Sequence, residues 1–201
     1  MKPGIAIALV WSGVAAAQDI RVEGGGGTLA PGAADQAIQS AGPQFQACYK
    51  DHAIRYVGGR VSLAVRVGTN GKKRAEVDGS DLGSWEVERC LLDVARNLGL
   101  GAAKGGDVTV SVPLEFQAGA EAAPMGEGPL KEAAAKLRPL LRCGPAKGTD
   151  VTFYVGPGGQ ILSVGFGRPP SERWAECATQ KAKQVTLTDP RGQVMKATVQ
   201  P

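Results

Sequence analysis

The stretch Arg60-Val61-Ser62-Leu63-Ala64-Val65-Arg66-Val67, followed by Asn70-Gly71 and by Lys72-Lys73-Arg74-Ala75-Glu76-Val77, decides the fold. Between Val61 and Val67 the odd positions are apolar and the even ones are small or charged, the two-residue period of a half-buried strand. Asn70-Gly71 supplies residues that accept the positive φ of a tight turn, and Lys72 to Val77 runs back as the second arm of a hairpin. Upstream, Ile38, Ala41, Phe45, Cys48, Tyr49 and His52 recur at three- and four-residue steps, which predicts a helix kinked at Gly42-Pro43. Downstream, Trp85, Val87, Leu91, Leu92, Ala95 and Leu98 repeat at helical steps, after a start near Asp81, Ser84 and Glu88 and before a stop at Gly99 and Gly101. Val108 to Phe116 is apolar on its even positions and reads as a third strand, with Pro113 compatible with a sheet edge.

The order helix, hairpin, helix, strand then recurs. Leu130, Ala134, Leu137, Leu140 and Leu141 predict a helix ending at Cys143-Gly144-Pro145. Val151 to Val155 and Gln160 to Val164 predict a hairpin turning at Pro157-Gly158-Gly159, a second helix passes through Trp174, Cys177 and Ala178, and Val194 to Val199 predicts the last strand. In both halves the second helix carries a tryptophan before a cysteine, Trp85 before Cys90 and Trp174 before Cys177. The reading is an α+β tandem duplication, with units over residues 34–117 and 129–201 joined by a low-complexity linker over 118–128.

Composition sets the class. A chain of 201 residues with 43% hydrophobic residues can fill a core, which excludes disorder throughout. The formal charge of +4 is too small an excess to imply a nucleic-acid partner. Met1-Lys2, the apolar run Ile5 to Trp11 and the small-residue exit Ala15-Ala16-Ala17 read as a cleaved signal peptide over residues 1–17. Residues 18–33 form a Gly-rich lead; Gly24 to Gly27 follows no predicted strand and is read as a linker, not a phosphate cradle. With no cysteine before Cys48 and no later apolar run of membrane-spanning length, the mature chain is expected in a periplasmic or extracellular space, without a membrane span.

Disulfides are permitted there. Four cysteines allow three pairings, and the duplication selects one bridge in each unit, Cys48 with Cys90 and Cys143 with Cys177. The competing reading takes Cys48 and His52, four apart on one helix face, as a thiol-dependent catalytic pair. It lacks an orienting third group, and His52, the single histidine, with no Cys-x-x-Cys pair falls short of a zinc site.

No nucleotide-binding or nucleophile-elbow motif occurs, so a non-enzymatic protein without cofactor or metal is expected. Glu86, Glu88, Asp78 and Asp81 lie near helix starts or turns and are read as capping or solvated residues. Lys72-Lys73-Arg74 reads as a solvated hairpin tip or, alternatively, as a contact for an anionic envelope polymer. Trp85 and Trp174 are read as core residues.

Taken together, Phe45-Gln46-Ala47-Cys48-Tyr49-Lys50, Gly59-Arg60-Val61, Asn70-Gly71, Val87-Glu88-Arg89-Cys90 and Pro113-Leu114-Glu115-Phe116 form a pattern. Over residues 34 to 117 it resembles the C-terminal domain of the myxobacterial gliding-motility proteins of the AgmX/PglI type, a relative of the TonB C-terminal domain. Residues 129–199 resemble it through the cysteines, the turn and the tryptophan alone, with Gly144 where the family has tyrosine. Leu98-Gly99-Leu100-Gly101 also stands where the family has an aromatic residue and a proline. The resemblance implies an envelope module that binds another envelope protein or peptide by adding an extended segment to a sheet edge. The edge expected to serve is Val108 to Phe116, with Thr109, Ser111 and Glu115 selecting the partner.

Overall fold

The computed structural model describes residues 22–24 and 26–200; the segment over 1–17, expected from sequence to be a signal peptide, lies outside the described residues. The protein is a mixed α+β structure with two four-stranded sheets. The first half comprises β1 (Val22–Gly24), α1 (Ala33–His52), β2 (Gly59–Val67), β3 (Lys73–Ser80), α2 (Trp85–Arg96) and β4 (Val108–Phe116). The second comprises β5 (Ala123–Pro124), α3 (Glu127–Leu137) continued by a 3-10 turn over Arg138–Cys143, β6 (Asp150–Val155), β7 (Ile161–Gly167), α4 (Glu172–Ala182) and β8 (Met195–Val199). Strand order is β1-β4-β2-β3 in one sheet and β5-β8-β6-β7 in the other.

The two-residue period becomes a one-sided core. Val61, Leu63, Val65 and Val67 on β2 and Val108, Val110, Val112, Leu114 and Phe116 on β4 are buried beneath α1 and α2, each full burial stabilising by about 1.5–3 kcal/mol. The opposite face carries Arg60, Arg66, Thr109, Ser111 and Glu115 toward solvent. β6 and β7 differ, since nearly every residue on both faces is buried. Their second face packs against the first half, and one hydrophobic core runs through both.

Three stretches depart from the sequence reading. The lead over 18–33 is not merely a linker: Val22, Glu23 and Gly24 pair antiparallel with Val110, Thr109 and Val108. Thr28 and Lys104 exchange backbone hydrogen bonds of 2.9 Å, and Gly27 lies so close to Gly106 that a Cβ would sit 2.1 Å from its carbonyl oxygen. The linker over 118–128 likewise contributes β5, which runs parallel to β8, and the start of α3. The helix expected from Leu130 to Leu141 stops at Leu137, because Pro139 lacks the amide that a further α-turn needs and the chain tightens into the 3-10 turn. Pro43, by contrast, is accommodated within the single helical run of α1, where Ala41, Phe45 and Cys48 are buried on either side of it.

Cys48–Cys90 ties α1 to α2 across a separation of 42 residues, and Cys143–Cys177 ties the 3-10 turn to α4 across 34. In the chain-entropy account each contributes about 4 kcal/mol by restricting the unfolded chain. No described helix is long and apolar enough to cross a membrane.

Candidate functional site

The outer edge of β4 is the site that the sequence analysis selects. β2 covers the inner edge of β4 along its whole length, from Val67↔Val108 to Gly59↔Phe116. On the outer edge β1 occupies Val108 to Val110, which corrects the expectation of an edge free over all of Val108–Phe116. From Ser111 to Phe116 the outer edge has no strand partner among the described residues, and Pro113, which has no amide to offer a ladder, lies in this open part.

Thr109, Ser111 and Glu115 share the solvent face of the sheet but differ in what they meet. Glu115 forms an ion pair with Arg60 at 3.6 Å, both side chains well exposed, and the Ser111 hydroxyl lies 3.4 Å from that of Ser62. Thr109 stands opposite Arg66 on one side and Glu23 on the other. The end of this edge is held rigidly: Tyr49 stacks on Phe116 at 4.7 Å, and the Tyr49 hydroxyl has the carbonyls of Val57 and Gln117 at 2.6 and 2.7 Å. Burial pushes the Tyr49 hydroxyl above its ordinary pKa.

No family model, curated protein or solved structure matches this chain.

Cys48 is bonded to Cys90, and no described cysteine is a free thiol. The nucleophile required by the alternative thiol-dependent reading is therefore not available in this oxidised protein, and His52 stands exposed at the end of α1. Among the described residues no group of three His, Cys, Asp or Glu side chains is placed to hold a metal ion. Lys72 lies in the β2–β3 turn and Lys73 and Arg74 begin β3; none has a carboxylate within ion-pair distance among the described residues.

Two residues that sequence reasoning missed hold the halves together. Glu88 was read as a helix-start residue, yet it is fully buried on α2. Its Oε1 accepts from the Ser80 hydroxyl at 2.7 Å and its Oε2 from the Phe166 amide at the outer edge of β7, at 3.1 Å. Loss of solvent pushes its carboxyl up to about 8, against the lowering effect of these two hydrogen bonds. Tyr154 on β6 reaches Gly58: its hydroxyl accepts from the Gly58 amide at 3.1 Å and has the carbonyls of Gly58 and Leu82, each at 3.2 Å, as acceptors for its proton. Burial pushes this hydroxyl up to about 12, and the Lys196 ammonium, 2.7 Å from the same Gly58 carbonyl, is lowered by its own burial. Exposed ion pairs surround the seam, Lys183 with Glu86 at 2.6 Å, Arg168 with Asp78 at 3.3 Å and Arg96 with Glu172.

Proposed function

We propose that this chain is an exported, non-enzymatic module of the cell envelope, built from two diverged copies of one TonB-C-terminal-like unit, that binds an extended segment of another envelope protein by strand addition to β4. A link to gliding-motility or TonB-like systems belongs to the same reading. The observation that carries it is that β1, a three-residue piece of the chain itself, already sits on the β4 edge as an added antiparallel strand. An edge that accepts Val22–Gly24 through main-chain hydrogen bonds has the spacing and twist to accept another extended segment. β5 holds the corresponding place on β8 in the other sheet, and the parallel strand orders β4-β2-β3 and β8-β6-β7 support a common unit. Two bridges that pin helices fit an oxidising compartment.

On this reading the lead competes with the partner. A chain starting at Leu29 should bind envelope protein about tenfold more tightly than one starting at Gln18, because the edge no longer has to release its own strand first. Deuterium exchange with envelope extract checks both parts: protection should extend over Val108 to Phe116, and more strongly in the shortened chain. Unchanged exchange along β4 in both chains would remove the proposal.

A further inference from the structure

The disulfide Cys143–Cys177 sets the 3-10 turn over Arg138–Cys143 against α4, with the two Cα atoms 5.8 Å apart. The Trp174 indole N–H donates to the Gly144 carbonyl at 3.1 Å and holds the start of α4 on the same turn. Both cysteines remain partly exposed, and the side chains around them are basic. Arg138 and Arg142 come from the turn and Lys147 from the loop after it. Arg173 and Lys181 stand four residues on either side of Cys177, one helical turn before and after the bridge. None of these five has a carboxylate within ion-pair distance among the described residues.

The acidic residues nearby are turned elsewhere. Glu172 and Glu176 of α4, and Lys183 at its end, pair with Arg96, Arg89 and Glu86 of α2, so that flank of the helix faces the first half and the Cys177 flank faces the turn. Asp150 accepts from the Gln200 amide at 2.7 Å, and Glu132 is engaged by Lys136 and Thr188. Glu127, at the start of α3, stands four residues before Lys131 on the same helix face and about 16 Å along the axis from Arg138. At the same offsets from its cysteines the other bridge, Cys48–Cys90, has Pro43, Ala47, His52, Glu86 and Val94, with no lysine or arginine among them. Lys50 and Arg89, which do lie beside that bridge in sequence, are interspersed with Asp51, Glu86 and Asp93. The one-sign surface is therefore a property of the second bridge alone.

We propose that this face docks the protein on a bilayer surface bearing anionic headgroups. Charge complementarity gives the sign of the partner, since clustered lysine and arginine side chains free of carboxylates are drawn to an anionic plane. Leu141 selects a bilayer over a soluble polyanion. It lies within the basic turn, next to Arg142, and is 44% exposed, while Leu140 beside it is fully buried. Residues three apart eclipse in a 3-10 turn, which stacks Leu141 with Arg138 on its outer side, and Pro139 and Pro145 are exposed beside them. An apolar side chain among arginines can enter the headgroup layer while the guanidinium groups stay with the phosphates. A hydrated polymer offers Leu141 no such gain. Docking here is independent of strand addition at β4, and deleting residues 18–28 should leave it unchanged.

The chain starting at Gln18, which keeps every described residue, is sedimented with vesicles of phosphatidylcholine alone and of phosphatidylcholine with an equal part of phosphatidylglycerol. Binding is expected to the second only, falling at least tenfold between about 0.05 and 0.5 M salt. Arg142→Gln combined with Arg173→Gln, both exposed, should weaken it about thirtyfold. Lys72→Gln combined with Arg74→Gln removes the same charge at the β2–β3 hairpin, where Glu76 follows Arg74 on one strand face, and should change binding less than about twofold. Leu141→Ser should weaken vesicle binding about fivefold and leave binding to dextran sulfate unchanged. Leu141→Trp should add an emission that shifts to the blue on anionic vesicles, since Trp85 and Trp174 are already buried. Equal binding to neutral vesicles, no binding to anionic vesicles at low salt, or equal losses in the two double variants would overturn the proposal. So would a Leu141→Ser protein that binds vesicles as the wild type does, which would mark the face as one for a soluble acidic polymer.

Discussion

Glu88→Gln should make the stability of this protein nearly independent of pH between about 5 and 8, and should raise its melting temperature at pH 8 by several degrees. The carboxyl of Glu88 titrates near the ordinary glutamate value of 4.5 in the unfolded chain and is pushed up to about 8 in the folded one, because folding removes it wholly from water. A folded-state pKa raised in this way stabilises the fold fully below 4.5, where both states carry the proton. As pH rises through the window the unfolded chain releases a proton that the folded chain retains, and the unfolding equilibrium shifts by about tenfold per pH unit. Above about 8 both states are ionised and the dependence levels off. Glutamine reproduces the neutral acid: its amide N–H₂ can donate to the Ser80 hydroxyl where protonated Oε1 would, and its carbonyl accepts from the Phe166 amide. Urea unfolding at half-unit pH steps checks this. Parallel curves for the wild-type and variant proteins would show that Glu88 remains ionised and that the seam tolerates its charge.

Glu88 escaped the sequence reading because an acidic residue in the first turn of a helix ordinarily answers the helix dipole from solvent. The signal that could have found it is its place on the apolar stripe of α2, three residues from Trp85 and Leu91 and four from Leu92, whereas Glu86 lies off that stripe. What buries it is β7, whose Phe166 amide is 78 residues away. Tyr154 and Gly58 are separated by 96 residues, and their contact was invisible. The elements that were legible have strong local periods: the alternating β2 and β4, and α2, whose buried residues Val87, Leu91, Leu92 and Ala95 follow helical steps. β1 was not legible, since three residues beside a glycine run show no period and take their extended form from pairing with β4. For the same reason an edge at Val108–Phe116 could be selected from sequence, while its partial occupation could not.

Gly165→Ala should split the unfolding of the protein into two transitions and cost about 3 kcal/mol or more. The new Cβ would sit 2.4 Å from the Ser84 amide nitrogen, 2.5 Å from Glu88 Oε1 and 2.9 Å from the Gly83 carbonyl carbon, two of them backbone atoms that cannot rotate away. Gly83, at φ 75°, is pinned in turn: its carbonyl accepts from the Ser163 hydroxyl at 2.8 Å, and a Cβ there would meet the Tyr154 ring at 2.8 Å. The only relief is movement of β7 away from α2, which breaks the Phe166–Glu88 hydrogen bond and loosens the shared core that makes the halves unfold together. Each half retains its own disulfide, so the damage falls on the coupling between them. Gly42→Ala is the control, since a Cβ on that helical position meets nothing within 4 Å and alanine is favoured there by about 1 kcal/mol. In the wild type and the control, tryptophan fluorescence and far-ultraviolet dichroism should report a single midpoint. In Gly165→Ala the two signals should separate, because Trp85 and Trp174 lie on opposite sides of the loosened seam and report different halves. A single unshifted transition in that variant would mean that the seam yields without cost, and that the close approach of β7 to Ser84 is not what couples the two sheets.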